Sequence, residues 1–484
     1  MEPLENLRRI RLAKLAKIQK LAIDPYPAKS NKKNSVADCL KSAGKNVTTA
    51  GRIMAIRSHG GSSFADLVDE SGKIQLFFSR DKLSTVNREL LTMLDIGDFI
   101  QVEGRVGKTQ AGEITIFAKS LKLLAKSLRP IPPSFYGLKN IETRLRKRYL
   151  DLVVNPKTHD LFVKKAKFWS SVRQFLIDNG FLEVETPALE HVPGGADATP
   201  FKTYHKALQT DYYLRISLEL YQKRLLVGGF EKIFEIGKVF RNEGIDSEHL
   251  QDYLQMEFYW AYADYEDLMA MIPQFYRYIV KATLGSLKSK FAKTEIDWSK
   301  PWPKIDYFDS FKQEIGLDLT KNSQVDQLFS LAGKLGVKLE KKLSEGRIID
   351  LIYKKAIRPK IIKPSFLINH PVSVSPLAKR NIKNPDTVQR LQVLAAGTEV
   401  GNGFSELNNP QDQEARFREQ QKLRQAGDEE AQMYDKDFVE ALEYGMPPAA
   451  GFGLSQRLFA VLVNRPIRET VFFPPVRPEQ NDKR

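Results

Sequence analysis

Arg241, Glu243, His249 and Glu257 stand inside Ile233–Phe258, IFEIGKVFRNEGIDSEHLQDYLQMEF, a run otherwise dominated by apolar and aromatic residues. Desolvating a charge is costly unless each charge meets a partner. A guanidinium in such surroundings suits an anionic ligand, because its planar fork matches phosphate and carboxylate geometry. The alternative is a structural Arg241–Glu243 ion pair. The elements that must position these groups are legible in outline. Ile233–Phe240 and Leu254–Tyr262 have strand composition, and Asn242, Gly244, Asp246 and Ser247 supply turn residues between them. The pattern predicts two antiparallel strands joined by a long loop, with charges projecting from one face of a sheet.

Composition narrows the chemistry. At 484 residues the chain exceeds one ordinary domain and can bury more than one core. Hydrophobic residues make up 42% and charged residues 28%, which predicts a soluble globular protein. No apolar run reaches the ~20 residues of a membrane helix, so no membrane partner is expected. The single Cys39 excludes an internal disulfide and a Cys-rich zinc site. Six scattered histidines without an HExxH pattern argue against a His-bound catalytic metal. Any metal is then expected to be a hard cation on carboxylates, which suits Mg²⁺.

A formal net charge of +16 favours a polyanionic partner. Residues 1–45 carry eleven Lys/Arg against four Asp/Glu, a concentration that points to nucleic acid. Glu2, Glu5 and the scarcity of serine oppose a mitochondrial transit peptide.

Along the chain, Leu4, Leu7, Ile10, Leu12, Leu15, Ile18 and Leu21 are spaced for an amphipathic helix that Pro25 and Pro27 stop. Residues 1–44 thus form a basic helical extension, expected to touch RNA. From 45 to 126 the pattern shifts to short strands. Ile74, Leu76 and Phe78 alternate with Gln75 and Phe77, and glycines punctuate the segment. About five strands in about eighty residues fit a small β-barrel of the OB type. The prolines of Leu128–Gly137 mark a stiff linker, 127–145. A larger domain is expected over 146–478, with a Lys-rich helical insertion at about 285–345 and a disordered tail, 479–484.

The motifs carry a resemblance. FRNEG at Phe240–Gly244, the following His249, then Tyr253 and Glu257, resemble motif 2 of a class II aminoacyl-tRNA synthetase. GFLEVETPAL (Gly180–Leu189) resembles motif 1, and GMPPAAGFGLSQRL (Gly445–Leu458) resembles motif 3. GGADATPF (Gly194–Phe201), LRISLELY (Leu214–Tyr221), SPLAKR (Ser375–Arg380) and EVGNGFSELN (Glu399–Asn408) lie in order between them. With these, the chain is similar to the lysyl-tRNA synthetases of that class. The resemblance implies an α+β fold: an antiparallel six- or seven-stranded catalytic sheet flanked by helices, behind an N-terminal OB-fold β-barrel.

It also implies a reaction. ATP and L-lysine give lysyl-adenylate and pyrophosphate, and lysine then passes to the 3′ end of tRNA(Lys). The attacking carboxylate is already ionised, so positioning and charge neutralisation are needed and a general base is not. By the resemblance, Arg241 holds the α-phosphate and the lysine carboxylate, and Glu243 orients it or touches the adenine. His249 lies near the triphosphate, Tyr253 stacks on adenine, and Arg457 grips the γ-phosphate. Glu219 meets the α-ammonium of lysine; Glu406, with Tyr259 and Glu257, meets the ε-ammonium. Asn402 and Phe404 line the same pocket, and Gly195 belongs to a loop that closes over it. Glu399 binds ATP and Mg²⁺.

In the barrel, Phe64 and Gln75 match positions that read the anticodon, with Arg57 and Glu113 beside them; Phe64 as barrel core is the alternative. Motif 1 implies a homodimer, and the whole implies a cytoplasmic enzyme. Two positions depart from the family's pattern. Gln392 replaces a second metal-binding glutamate, which predicts a weakened Mg²⁺ site, and Gln456 replaces an acidic residue before Arg457. They leave a catalytically weakened RNA-binding paralogue as the rival reading.

Overall fold

The computed structural model describes residues 2–132, 138–244, 249–319, 325–337, 345–428 and 430–477. Asp246 and Ser247 of the motif 2 loop, part of the proline-rich linker and the tail 479–484 lie outside the described residues. The chain divides into two compact units, residues 1–139 with 149–154 and residues 140–148 with 155–484.

In the first unit the strands Asn46–His59, Ser62–Asp69, Gly72–Ser79, Phe99–Lys108 and Ile114–Ala125 close into a barrel. Period-two alternation turns Leu67, Ile74, Leu76, Phe78, Val102 and Ile116 inward, where they are buried. The same alternation turns Phe64, Gln75 and Phe77 outward, so Phe64 is not barrel core. The basic helix Glu2–Lys20 is anchored to this unit rather than free. Arg11 is buried and donates to the carbonyls of Ile96, Ser127 and Arg129. Lys14 pairs with Asp95 at 2.6 Å. Two of the cations expected to serve RNA therefore hold the helix down, while Arg9, Lys17 and Lys20 remain exposed.

The second unit is built on an eight-stranded sheet. Its centre is six antiparallel strands in the order Ser365–Ile368, Arg390–Ala395, Thr398–Ser405, Ala449–Ser455, Asp252–Ala261 and Lys232–Phe240. Short strands at the two edges, Lys304–Asp306 and Leu182–Glu183, pair in parallel. The six antiparallel strands match the count that the resemblance implied, and the two short parallel edge strands bring the sheet to eight.

The long helices Pro156–Asp178 and Tyr265–Leu284 supply Phe168, Val172, Leu176, Ile272, Phe275 and Ile279 to one core with Phe234, Met256, Phe258 and Phe452 of the sheet. The segment 285–345 is helical only in part, contrary to expectation. It opens with the hairpin Lys288–Phe291 and Thr294–Asp297 and continues through the edge strand before the helices Tyr307–Ile315 and Val325–Lys334. Lysines at alternate positions mask that hairpin, whose inward Ile296 is fully buried, as is Trp298 just after it.

Candidate active site

The hairpin predicted from sequence is the floor of the site. Lys232–Phe240 pairs antiparallel with Asp252–Ala261, and Asp252–Ala261 pairs with Ala449–Ser455. Leu254, Met256 and Phe258 face the helices, so Tyr253, Gln255, Glu257 and Tyr259 share the opposite face and line one cleft. Glycines opposite them keep that cleft open: Gly453 pairs with Glu257, and Gly451 with Tyr259. A Cβ on Gly451 would lie 2.3 Å from Glu406 Oε1 and 2.4 Å from the Tyr259 ring. The next strand adds Asn402 and Phe404 to the lining, with Glu406 just beyond its end.

Three carboxylates converge here, and all are buried. Glu257 is served by neutral donors: the Ser217 hydroxyl at 2.8 Å, the Leu218 N–H at 3.2 Å and the Tyr259 hydroxyl at 3.0 Å. Glu219 opens the helix Glu219–Val227, and both Glu219 and Glu406 meet the ammonium of Lys223, itself fully buried. Burial pushes the Glu219 carboxyl up to about 7 against the opposing pull of Lys223. Burial likewise drives Glu406 well above the usual carboxylate range. Gly195, at φ +85°, lies flat against this wall; a Cβ there would come within 2.8 Å of Glu219 Cβ and 3.0 Å of Ser217 Cβ.

The two arginines stand beside Tyr253. Arg241 follows the first hairpin strand, and its Nε donates to Ile216 O at 3.2 Å. Its guanidinium carbon sits 5.7 Å from the Tyr253 ring centre. Arg457 opens the helix Arg457–Leu462 directly after the last central strand. Burial raises the Tyr253 phenol, and the positive charges of both arginines act against that rise. Arg241 and Arg457 therefore point into the same space as Tyr253, and both line the cleft with Glu399.

Other positions fall differently. Glu243 and His249 do not line the cleft. Gln392 is buried behind Glu399 and donates its amide N–H to Glu399 Oε2 at 2.9 Å. It thus steadies Glu399 rather than facing the cleft beside it. Gln456 is buried and accepts from Lys165 Nζ at 3.1 Å. Burial, with nearby Lys238, lowers Lys165 to about 8.

Sequence reasoning missed four contributors: Lys223, Ser217, Gln255 and Arg390. Lys223 was visible in principle, since it follows Glu219 at i+4 spacing on one helix. Arg390 had no local signal; it holds Asn402 Oδ1 at 2.8 Å and the Val374 carbonyl at 2.8 Å across the fold.

The outer face of the barrel forms a separate surface. Phe64 pairs in register with Phe77, and Phe77 with Phe117 on the neighbouring strand. Their ring centres lie 5.0 and 5.4 Å apart, making a half-exposed aromatic row across three strands. Gln75 Oε1 accepts from the Thr115 hydroxyl at 2.9 Å, and Arg57 pairs with Asp66 at 2.9 Å. Glu113 lies exposed in the turn before the last strand. Phe77 and Phe117 were hidden in sequence because only strand pairing aligns them with Phe64.

Comparison with known proteins agrees with this geometry. Residues 140–477 match the tRNA synthetases class II (D, K and N), and residues 47–124 match the OB-fold nucleic acid binding domain. The chain is 42% identical to the lysine--tRNA ligase of Moorella thermoacetica, an alignment covering 99% of each chain. It is 43% identical to that of Carboxydothermus hydrogenoformans, again over 99% of each. It is 43% identical to that of a Roseiflexus species, over 98% of this chain and 99% of the relative. None of these similarities favours the weakened-paralogue reading. By sequence match and by fold, the chain belongs to the class II tRNA synthetases of the D, K and N group, among the lysine--tRNA ligases.

Proposed function

We propose that the chain is a lysine–tRNA ligase, activating L-lysine with ATP and transferring it to the 3′ end of tRNA(Lys). The observation that carries the reading is one cleft lined by two arginines beside Tyr253 and by three buried carboxylates. Lysine fits this polarity, with its carboxylate toward Arg241 and its two ammonium groups toward Glu219 and Glu406. A neutral or acidic side chain would leave those carboxylates unpaired in a dry site, which is where strong discrimination arises.

In the first step Arg241 aligns the lysine carboxylate with the α-phosphate and neutralises the charge that builds there, while Arg457 holds the γ-phosphate end. Tyr253 offers a flat π surface to adenine. Mg²⁺ arriving with ATP would neutralise the phosphates further, and Glu399 is the carboxylate that would hold it. One carboxylate plus substrate phosphates is an ordinary Mg²⁺ arrangement, so the donor set fits. The buried Gln392 adds a neutral amide beside Glu399. The charge of Glu243 reaches Arg241, so Glu243 acts by orienting that arginine, and His249 acts near the triphosphate.

The barrel's aromatic row, with Gln75 at its edge, is the surface for the anticodon, because flipped bases stack on exposed rings and hydrogen-bond through their edges. Arg57 and Glu113 flank that surface. The motif 1 segment exposes Leu182 and Leu189 at 52% and 44%, apolar surface that a homodimer would cover. The compartment that holds tRNA and ATP, the cytoplasm, is its place of work. Among the described residues no helix is long and apolar enough to cross a membrane.

The test is ATP–pyrophosphate exchange with each of the twenty amino acids, followed by charging of tRNA(Lys). Exchange with lysine alone, dependent on Mg²⁺, is expected. No exchange with any amino acid would favour the RNA-binding paralogue instead.

A further inference from the structure

Lys223 lies outside every motif marked in the sequence. Its ammonium meets the carboxylates of both Glu219 and Glu406. It does not line the cleft. It stands behind the two carboxylates, with Nζ 5.3 Å from the ring centre of Phe404 and 5.9 Å from that of Phe438. The two carboxylates belong to different elements: Glu219 begins a helix, one turn before Lys223, and Glu406 follows a central strand. Under the lysine reading they face opposite ends of one substrate, the α-ammonium and the ε-ammonium. A single internal cation thus ties the two subsites together.

We propose that Lys223 is a positioning residue that sets chain-length specificity: by bridging Glu219 and Glu406 it fixes their separation, and so measures the diamino acid that fits between them. This inference rests on the lysine reading of the cleft.

Several observations make the bridge rigid and necessary. Three carboxylates share one desolvated volume, and like charges at such range do not all ionise unless something compensates them. Glu257 is compensated by the neutral donors of Ser217, Leu218 and Tyr259. Glu219 and Glu406 share the ammonium instead. The next cation, Arg390, is engaged with Asn402, Val374 and Ser375. Neither bridged carboxylate is free to swing: Glu219 and Lys223 are held on one helix, and Glu406 Oε1 abuts the backbone of Gly451. Ornithine, one methylene shorter than lysine, has a shorter span between its two ammonium groups, and carboxylates fixed by a common ammonium cannot move to meet it. Contacts with pocket walls alone give only about 10- to 200-fold discrimination per methylene, and a wall that shifts gives less.

The experiment uses the full chain and its Lys223→Met variant, which keeps length and volume and removes the charge. Pyrophosphate exchange is measured with lysine and with ornithine between about pH 6 and about pH 9. The KM for lysine is expected to rise about 100-fold, because two buried carboxylates lose their counter-ion. The KM for ATP should stay within about twofold, since the arginine end is untouched. The preference for lysine over ornithine should fall about 10-fold.

The pH at which the lysine KM turns should also move up, because one carboxylate keeps its proton longer. The charged and titratable groups nearest the bridge are Glu219 and Glu406, with Glu257, Tyr259 and Arg390 beyond them. A loss of kcat or of melting temperature that leaves the lysine-to-ornithine ratio and the pH turn unmoved would overturn the proposal. If Lys223→Met does not fold, Lys223→Arg keeps the charge and changes the reach. It should lower the ratio while leaving the pH turn in place, and an unchanged ratio overturns the proposal equally. Wild-type chain that uses neither amino acid would sink the lysine reading itself, a result distinct from either variant outcome.

Discussion

The cleft and the barrel face use charge in opposite ways. In the cleft, Glu219, Glu257 and Glu406 are buried, Glu257 matched to hydrogen-bond donors and the other two to the Lys223 ammonium. On the barrel face, Arg57 is half-exposed and the Phe64–Phe77–Phe117 row is open on one side. A small diamino acid is distinguished from its neighbours by what its absence leaves unpaired, and that penalty exists only where water is excluded. A polyanion many nucleotides long needs no such enclosure; exposed rings and loosely held cations suffice. Burial therefore marks the place of amino-acid choice, and exposure the place of RNA choice.

Several changes would break or sharpen that contrast. The largest effect is expected from Arg241→Ala, which should lower kcat for exchange about 100- to 1,000-fold by removing charge stabilisation at the reacting phosphate. A loss below tenfold would mean the cleft does its chemistry elsewhere. Glu406→Gln should raise the lysine KM about 100-fold by removing the carboxylate for the ε-ammonium and one of the two counter-ions of Lys223, while the ATP KM changes little. Equal losses for both substrates would erase the division of the cleft into two ends.

Phe64→Ala should raise the tRNA KM in charging about tenfold, the worth of one stacked base, and leave lysine-dependent exchange intact. Charging at the normal rate would show that the barrel reads RNA through another face. A smaller effect is expected from pH. Lysine brings positive charge and needs Glu219 ionised, and burial holds that carboxyl at about 7. Lysine KM should therefore fall as pH rises toward that value and level off above it, while tRNA KM, set by exposed groups, stays flat. Raising salt should do the reverse, weakening tRNA charging and sparing exchange.

Much of this was legible from residue order. Strand composition on either side of a turn-rich segment marked the hairpin and its projecting charges, and Arg241, Tyr253, Glu257, Tyr259 and Arg457 were marked by the motifs around them. Other features were not legible, for stated reasons. The strands Lys304–Asp306 and Leu182–Glu183 are too short to show a period. The hairpin at 288–297 is disguised by its lysines. Gln392 reads as a damaged metal ligand in sequence, yet its amide donates to Glu399 and takes up a supporting position. The basic helix reads as an RNA arm, yet Arg11 and Lys14 are spent on holding it in place.

Local order along the chain determined which elements form, which face of each is apolar, and which charged groups are available to a ligand. Only the folded chain decided that Glu219, Lys223 and Glu406 would share one dry volume, and that three phenylalanines from three strands would line up on the barrel. Covalent spacing governs periodicity over a few residues. Which distant side chains meet away from water depends on how the strands pair and close, and no short window of sequence contains that information.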